Sequence, residues 1–211
     1  MAQGIGVLGT SFLFQKESHF VLTLDVMKKI LVPVDFSKHS EYALEVASKI
    51  AKEHEAGIVL LHMIGLSDSV LANSEIAEEA EAKYFLKLAK EKIKEFTEKE
   101  YLKDISVEAI IQNYKDFAEV NNVAQEQNCD LVVMGSHGTS GLSELFVGSN
   151  TEKVVRTSDL PVIVIKKSHV DFTIKKIVLA SDLRKESIPV YAKAEAFAEL
   201  FSATLDVVYV N

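Results

Sequence analysis

Leu131-Val132-Val133-Met134-Gly135-Ser136-His137-Gly138-Thr139-Ser140-Gly141, running on to Val147-Gly148-Ser149-Asn150, is the stretch on which the fold turns. Four apolar residues in a row read as a strand covered on both faces of a parallel sheet. The loop that follows leaves the carboxyl end of that strand, the edge at which open α/β sheets bind ligands. Gly148 and Ser149 then open a helix, whose first N–H groups lack partners and whose dipole is positive. Glycines let main-chain N–H groups approach an anion with no side chain in the way. The hydroxyls of Ser136, Ser149, Thr139 and Ser140 add donors. Together these features read as a cradle for phosphate. The loop is neither the Lys-Ser/Thr phosphate loop nor the dinucleotide fingerprint, which follows a first strand; this one follows a fourth.

Upstream, Ile30-Leu31-Val32-Pro33-Val34 and Ile58 to Ile64 are two further apolar strands. Between them Ser37 offers an N-cap, and Tyr42, Ala43, Val46, Ala47, Ile50 and Ala51 recur at three and four, predicting an amphipathic helix that ends before Gly57. Residues 68–101, rich in Glu, Lys and Ala, predict a long surface helix whose apolar positions do not keep heptad register. Ile105 to Ile111 alternates as a strand and 116–127 reads as a helix. Pro161-Val162-Ile163-Val164-Ile165 is a fifth strand after the helix that starts near Ser149. This alternation predicts right-handed βαβ units in an open, doubly wound, five-stranded parallel sheet, an α/β fold.

After residue 167 the pattern starts again. Lys175-Lys176-Ile177-Val178-Leu179-Ala180-Ser181-Asp182 echoes Lys28-Lys29-Ile30-Leu31-Val32-Pro33-Val34-Asp35. Tyr191-Ala192 echoes Tyr42-Ala43, and Leu205 to Val210 echoes Ile58 to Met63. The reading is a partial β-α-β repeat over 172–211, which must dock on something because it leaves a strand edge and a sheet face uncovered. In residues 1–26, Gly4, Gly6 and Gly9 sit among apolar residues up to Phe14, with no basic residue ahead of the run and a poor match to the start and cleavage site of a secretory signal. They are expected to be a leader or a non-native extension with no fold of their own, so that the organised chain begins at Met27.

Composition excludes several classes. Of 211 residues, 31 are acidic and 23 basic, a net charge of −8, which disfavours nucleic acid as a partner. One cysteine, Cys129, provides neither an internal disulfide nor a thiolate metal site. No uncharged apolar run approaches the roughly 20 residues of a membrane span. A cytoplasmic, reducing location is the expectation, with no membrane and no nucleic acid among the partners.

Gly135, Gly138 and Gly148-Ser149 follow the spacing glycine, two residues, glycine, nine residues, glycine plus Ser or Thr. That spacing resembles the ATP-binding branch of the universal stress protein family. The resemblance also takes in the Lys28–Asp35 strand, the His62-Met63 strand end, the Asn128-Cys129-Asp130 lead-in and the Pro161 strand, spanning 27–167. It implies an adenine nucleotide alpha hydrolase-like fold and a tandem member whose second domain, 172–211, is its first half only. It further implies that Pro33, Val34 and Asp35 form the adenosine side, with Asp35 accepting a ribose or metal-linked hydrogen bond, and that Met63 packs on adenine. Met134, Gly135, Ser136, His137, Gly138, Gly148, Ser149 and Asn150 would line the ribose and phosphate side. The implied ligand is ATP, or AMP or ADP, with Mg²⁺ possible through an indirect link to Asp35. Where family members often carry a basic residue after the second glycine, this chain has Thr139. In the family the fifth strand pairs across two domains, so a homodimer, or a pseudo-dimer between tandem domains, is expected to cover the Pro161–Ile165 edge.

Plainer readings stand beside these. Asp35 also suits a helix-capping role, Met63 a core-filling one, and His62 that of a hydrogen-bonded core residue. His137 serves either as an acid or base or as a partner of the backbone, and Cys129 reads as structural. Phosphoryl transfer needs cationic stabilisation and an oriented nucleophile, and no Lys or Arg lies between Gly135 and Ser149. The expectation is a nucleotide-dependent regulatory module in stress response with slow hydrolysis at most and no catalytic residue. The alternatives are a Mg²⁺-dependent ATPase using Asp35 and His137, and a protein-interaction module with an empty site.

Overall fold

The computed structural model describes residues 3–7, 10–14, 27–65, 76–113, 117–136 and 148–210, with backbone alone at 3–7, 10–14 and 76–82. Among them, strands β1 (Gln3–Val7), β2 (Thr10–Phe14), β3 (Lys29–Pro33), β4 (Gly57–Ile64), β5 (Val107–Asn113), β6 (Leu131–Gly135), β7 (Val162–Ile165), β8 (Lys176–Ser181) and β9 (Thr204–Tyr209) join in one sheet. Its order is β5-β4-β3-β6-β7-β2-β1-β8-β9. The first five are mutually parallel, as the apolar runs predict.

Among the described residues four helices cover that five-stranded part on two faces: α1 (Lys38–His54), α2 (Ile76–Thr97), α3 (Val120–Glu126) and α4 (Ser149–Thr157). Successive strand residues point to opposite faces. Ile30, Val32, Leu60 and Val133 therefore pack with Ala43, Ala47 and Ile50 of α1 and Ile93 and Phe96 of α2. Leu31, Leu61, Val132 and Met134 pack with Val120 and Val123 of α3 and Val154 and Val155 of α4. Cover on both sides is why these strands lack the polar alternation of a half-exposed sheet.

Boundaries move where a local turn intervenes. The strand expected at 105–111 begins at Val107, because Asp104 takes a left-handed φ of 67° and the Ile105 N–H turns back to Leu102 O at 3.1 Å. The long helix ends at Thr97, ahead of a single helical turn at Glu100–Leu102. Its expected first residues, 68–75, lie outside the described residues.

β8, α5 (Ile188–Leu200) and β9 reproduce the geometry of β3, α1 and β4 at a shift of 147 residues. Phe36 and Leu183 both have positive φ (65° and 54°), as do Glu55 and Ser202 (54° and 50°). Ser37 N–H donates to Asp35 Oδ1 at 3.1 Å, and Arg184 N–H to Asp182 Oδ1 at 3.1 Å. The Gly57 N–H to Lys28 O bond returns as Thr204 N–H to Lys175 O. Buried Ser40, Ala43, Val46, Ala47, Ile50 and Ala51 answer to buried Ser187, Val190, Lys193, Ala194, Phe197 and Ala198. One echo read from the sequence is corrected. At this shift Tyr42 falls opposite Pro189 and Tyr191 opposite Leu44, so the Tyr-Ala match is two residues out of register with the packing.

The N-terminal expectation is also corrected. Residues 3–7 and 10–14, read above as part of a segment with no fold of its own, pair as a hairpin in the gap between β7 and β8. β2 lies antiparallel on β7 and β1 antiparallel on β8. The β7 edge, expected to be covered by a second chain or by the repeat, is thus covered by residues 10–13. Two open edges, each a row of unpaired N–H and C=O groups, outweigh the poor strand propensity of Gly4 and Gly6. The second unit and the segment leading into it also dock on α1: Lys49 Nζ donates to the carbonyls of His169 and Val170 at 2.5 and 2.6 Å, and the Phe201 ring meets that of His54 edge-on at 5.1 Å.

Candidate functional site

The strand order reverses between β3 and β6, and there the ladder is shortest among the five parallel strands. β3 pairs with β6 only at Ile30↔Leu131 and Leu31↔Val132. Yet β3 continues along β4 to Pro33↔Leu61, and β6 along β7 to Gly135↔Ile165. Pro33 has no N–H to extend the β6 ladder. The carboxyl ends of β3 and β6 are therefore unpaired with each other at the switch point, where ligands of open α/β sheets are held.

The β3 wall is Pro33, Val34 and Asp35. Val34 is buried; its N–H donates to Leu61 O at 2.8 Å and its carbonyl accepts from His62 Nδ1 at 2.8 Å. A carbonyl can only accept, so Nδ1 carries the proton. Burial holds the His62 pKa below its ordinary value, and the Val34 bond opposes that only in part. Half-buried Asp35 accepts from Ser37 N–H, while Ser37 Oγ accepts from Ser40 N–H at 3.3 Å as the N-cap of α1. The capping role weighed for Asp35 thus belongs to Ser37, with Asp35 fixing the turn before it. Phe36, at the positive φ of that turn, stacks on His62 at 4.2 Å and meets Phe96 edge-on at 5.2 Å, with Lys92 Nζ 5.6 Å from its ring centre.

The β6 wall is tied to the start of α4. Gly148 N–H donates to Ser136 O at 2.7 Å, and the buried Thr151 hydroxyl donates to Gly135 O at 2.8 Å. Ser136 is fully buried and its N–H donates to Ile165 O at 2.9 Å. Gly148 stands at the N-cap and brings no capping side chain to the amides of Ser149, Asn150 and Thr151, which helix geometry leaves without intrahelical acceptors. Ser149 and Asn150 are exposed. Gly135 has a packing reason of its own: a Cβ there would lie 2.7 to 2.9 Å from His39 C, O and Cβ.

Met63 and Met134 are 8% and 4% exposed in the core under α3 and α4, a core-filling position. His137 and Gly138, with Thr139 to Gly141, lie outside the described residues. Thr151 was not singled out from the sequence; its signal is a hydroxyl on the buried side of a helix's first turn, three residues after the capping glycine. Phe36 was likewise missed, since only the packing brings it onto His62. Burial pushes the Cys129 thiol up to about 11, which leaves it un-ionised and inert at neutral pH. Among the described residues no group of three or more His, Cys, Asp or Glu side chains could hold a metal, and no helix is long and apolar enough to cross a membrane.

The arrangement offers main-chain N–H donors and a positive helix end on one wall, and a carboxylate beside an apolar strand end on the other. Comparison with known families agrees with this architecture: the universal stress protein family model matches residues 27–166, from just before β3 to just past β7. The chain belongs to the universal stress protein family.

Curated relatives include universal stress protein MJ0577 of Methanocaldococcus jannaschii, 35% identical over 158 residues, covering 67% of this chain and 96% of that protein. Universal stress protein YxiE of Bacillus subtilis is 33% identical over 156 residues, covering 67% of this chain and all of its own length. The solved structure of MJ0577 superposes with a TM-score of 0.60 at 30% identity, over 68% of this universal stress protein and 99% of its own chain. A functionally unknown protein from Pseudomonas aeruginosa, PA1789, shares the fold over 88% of this chain and 61% of its own, with a TM-score of 0.55; at 20% identity that likeness concerns the fold alone.

Proposed function

We propose that this universal stress protein is a nucleotide-binding regulatory module of a stress response, taking ATP, or AMP or ADP, at the carboxyl edge between β3 and β6. The observation that carries this reading is the attachment of the α4 start to the end of β6, through Gly148 N–H to Ser136 O and Thr151 Oγ1 to Gly135 O. That pair of bonds supports a first turn whose free amides would serve the switch point, the chemistry a phosphate requires. Val34 and Asp35 supply an apolar strand end and an acceptor for a ribose hydroxyl, so the residues present fit an adenine nucleotide. Asp35, with one oxygen on Ser37 N–H, also suits an indirect link to Mg²⁺ on the phosphates.

Main-chain amides and a helix end hold phosphates in the ground state and the transition state alike, which lowers dissociation without speeding transfer. No Lys or Arg between Gly135 and Ser149 supports binding over turnover. Occupancy would bias the seat of α4 against β6 and so alter what this edge presents to partners. The 147-residue correspondence supports reading 172–211 as the first half of a second universal stress unit. The charge balance and lone cysteine support a cytoplasmic setting.

Isothermal titration with ATP, AMP and ADP tests the reading, together with mass spectrometry of small molecules released from freshly purified protein. Saturable heat is expected, weakened at least tenfold by Asp35→Ala. Phosphate release should stay far below the roughly 1 s⁻¹ lower end of ordinary enzyme turnover. Absence of both heat and a thermal shift with every adenine nucleotide refutes nucleotide binding; fast turnover lost in Asp35→Ala replaces the module with an ATPase.

A further inference from the structure

Without β1 and β2, two strands besides the outermost β5 and β9 would have a free edge. β2 fills the β7 edge at Thr10↔Ile165, Ser11↔Val164, Phe12↔Ile163 and Leu13↔Val162. β1 fills the β8 edge at Ile5↔Leu179 and Gly6↔Val178. By the 147-residue correspondence β8 stands for β3, and the side of β3 that carries β6 at Ile30 and Leu31 is the side of β8 that carries β1 at Val178 and Leu179. The hairpin therefore occupies a strand position that β8, α5 and β9 do not supply for themselves, and seals β7 at the same time.

We propose that this hairpin is a removable plug, held within the chain, that keeps β7 from pairing with β7 of a second copy of the same chain. Three observations support release. The grip is uneven, with four residue pairs on β7 and two on β8. β1 has glycine at two of its five positions, Gly4 and Gly6, which costs order and leaves nothing to pack there. A two-stranded hairpin has little stability of its own in water. The tether allows it as well: the 14 residues between Phe14 and Lys29 reach at most about 50 Å, so the hairpin can leave while β3 stays in place.

Two features name the second copy as the competitor. β7 already accepts an antiparallel neighbour, and a two-fold axis sets a strand antiparallel to itself. Val162-Ile163-Val164-Ile165 carries no charge, but Asp159 precedes it and Lys166 and Lys167 follow it. Antiparallel self-pairing brings the acid end of each strand to the basic end of the other, which favours this register.

Light scattering on full-length protein and on a variant lacking residues 1–14 tests the plug. Full-length protein is expected to run as a monomer of 23.4 kDa. The deletion variant is expected at twice its own chain mass, and a synthetic peptide of residues 1–16 should return it to monomer. A folded, monomeric deletion variant overturns the proposal, as does a dimer of it that the peptide leaves unchanged. Hydrogen exchange on the full-length chain gives a reading that does not depend on the deletion variant folding. β2 amides should exchange through an opening at least 100-fold more frequent than that of β6; equal protection of β2 and β6 means that the hairpin is a fixed part of the sheet, and also overturns it.

Discussion

Replacing Gly135 by alanine isolates a demand made by packing from any made by a ligand. The added Cβ would stand 2.7 Å from His39 C, 2.8 Å from its O and 2.9 Å from its Cβ, against an ordinary contact of 3.4 Å or more. Relief takes a displacement of about 0.7 Å (3.4 minus 2.7) between β6 and the first turn of α1. Neither side yields easily. α1 is capped by Ser37 and its Glu41 N–H is bonded to Ser37 O at 3.0 Å, while Gly135 holds Thr151 through its carbonyl. Overpacking of this kind costs about 1–3 kcal/mol. The reduced freedom of the unfolded chain returns about 0.4–1 kcal/mol. The midpoints of these ranges leave about 1.3 kcal/mol of destabilisation, and for a chain of this size roughly 2–4 °C of melting temperature per kcal/mol, so a loss of about 3–5 °C. The assay is thermal unfolding followed by circular dichroism on nucleotide-free protein. Gly148→Ala is the control, because Gly148 has φ −61° and ψ 149°, open to any residue, and should change stability by less than about 0.5 kcal/mol. An alanine at 135 that melts with the wild type would refute the packing argument and return that glycine to a ligand role alone.

Three further outcomes are expected. Thr151→Val removes a buried hydroxyl and strands the Gly135 carbonyl; urea unfolding should show a loss of about 1–3 kcal/mol, and an unchanged midpoint would mean that the hydroxyl does not anchor α4. Asp130→Ala deletes an acceptor that takes both Lys28 N–H at 2.7 Å and Lys29 N–H at 3.0 Å, tying the start of β3 to the start of β6. Bonds to a charged group are the stronger kind, so about 1.5–3 kcal/mol should be lost in the same assay, and a loss below 0.5 would count against the tie. His62 has a folded pKa below the 6.5 of an unfolded chain, so the unfolded state binds the proton more readily. Its contribution is therefore complete above pH 6.5 and declines as the pH falls through 6.5 toward the lower folded value. The stability gap between wild type and His62→Gln should narrow from pH 7.5 to 5, and a gap independent of pH would contradict the burial argument.

Much of the fold was legible because its cause is local. A strand covered on both faces shows as an uninterrupted apolar run, so β3, β4, β6 and β7 stand out at Ile30, Ile58, Leu131 and Val162. The helix between β3 and β4 shows as apolar residues at three and four after a serine cap. The glycine spacing at 135, 138 and 148 carried the resemblance and placed the candidate site at the carboxyl end of β6. Where a turn decides, as at Asp104 with its positive φ, the pattern ran two residues early.

Other features depend on groups far apart in the chain. Nothing around Gly135 announces that His39, 96 positions earlier, forbids a side chain there, and nothing around Thr151 names the Gly135 carbonyl as its partner. The Tyr42 and Tyr191 likeness misleads because a match of letters carries no register, whereas the positive φ values at Phe36 and Leu183, and at Glu55 and Ser202, do. The hairpin at 3–14 is the plainest case. A five-residue strand with two glycines has little preference of its own, and its place is set by two edges, β7 and β8, that exist only once the rest of the sheet has assembled. Periodicity and spacing record which face of an element is buried; which edge lies beside which is a property of the assembled sheet, because backbone hydrogen bonds between strands carry no side-chain identity.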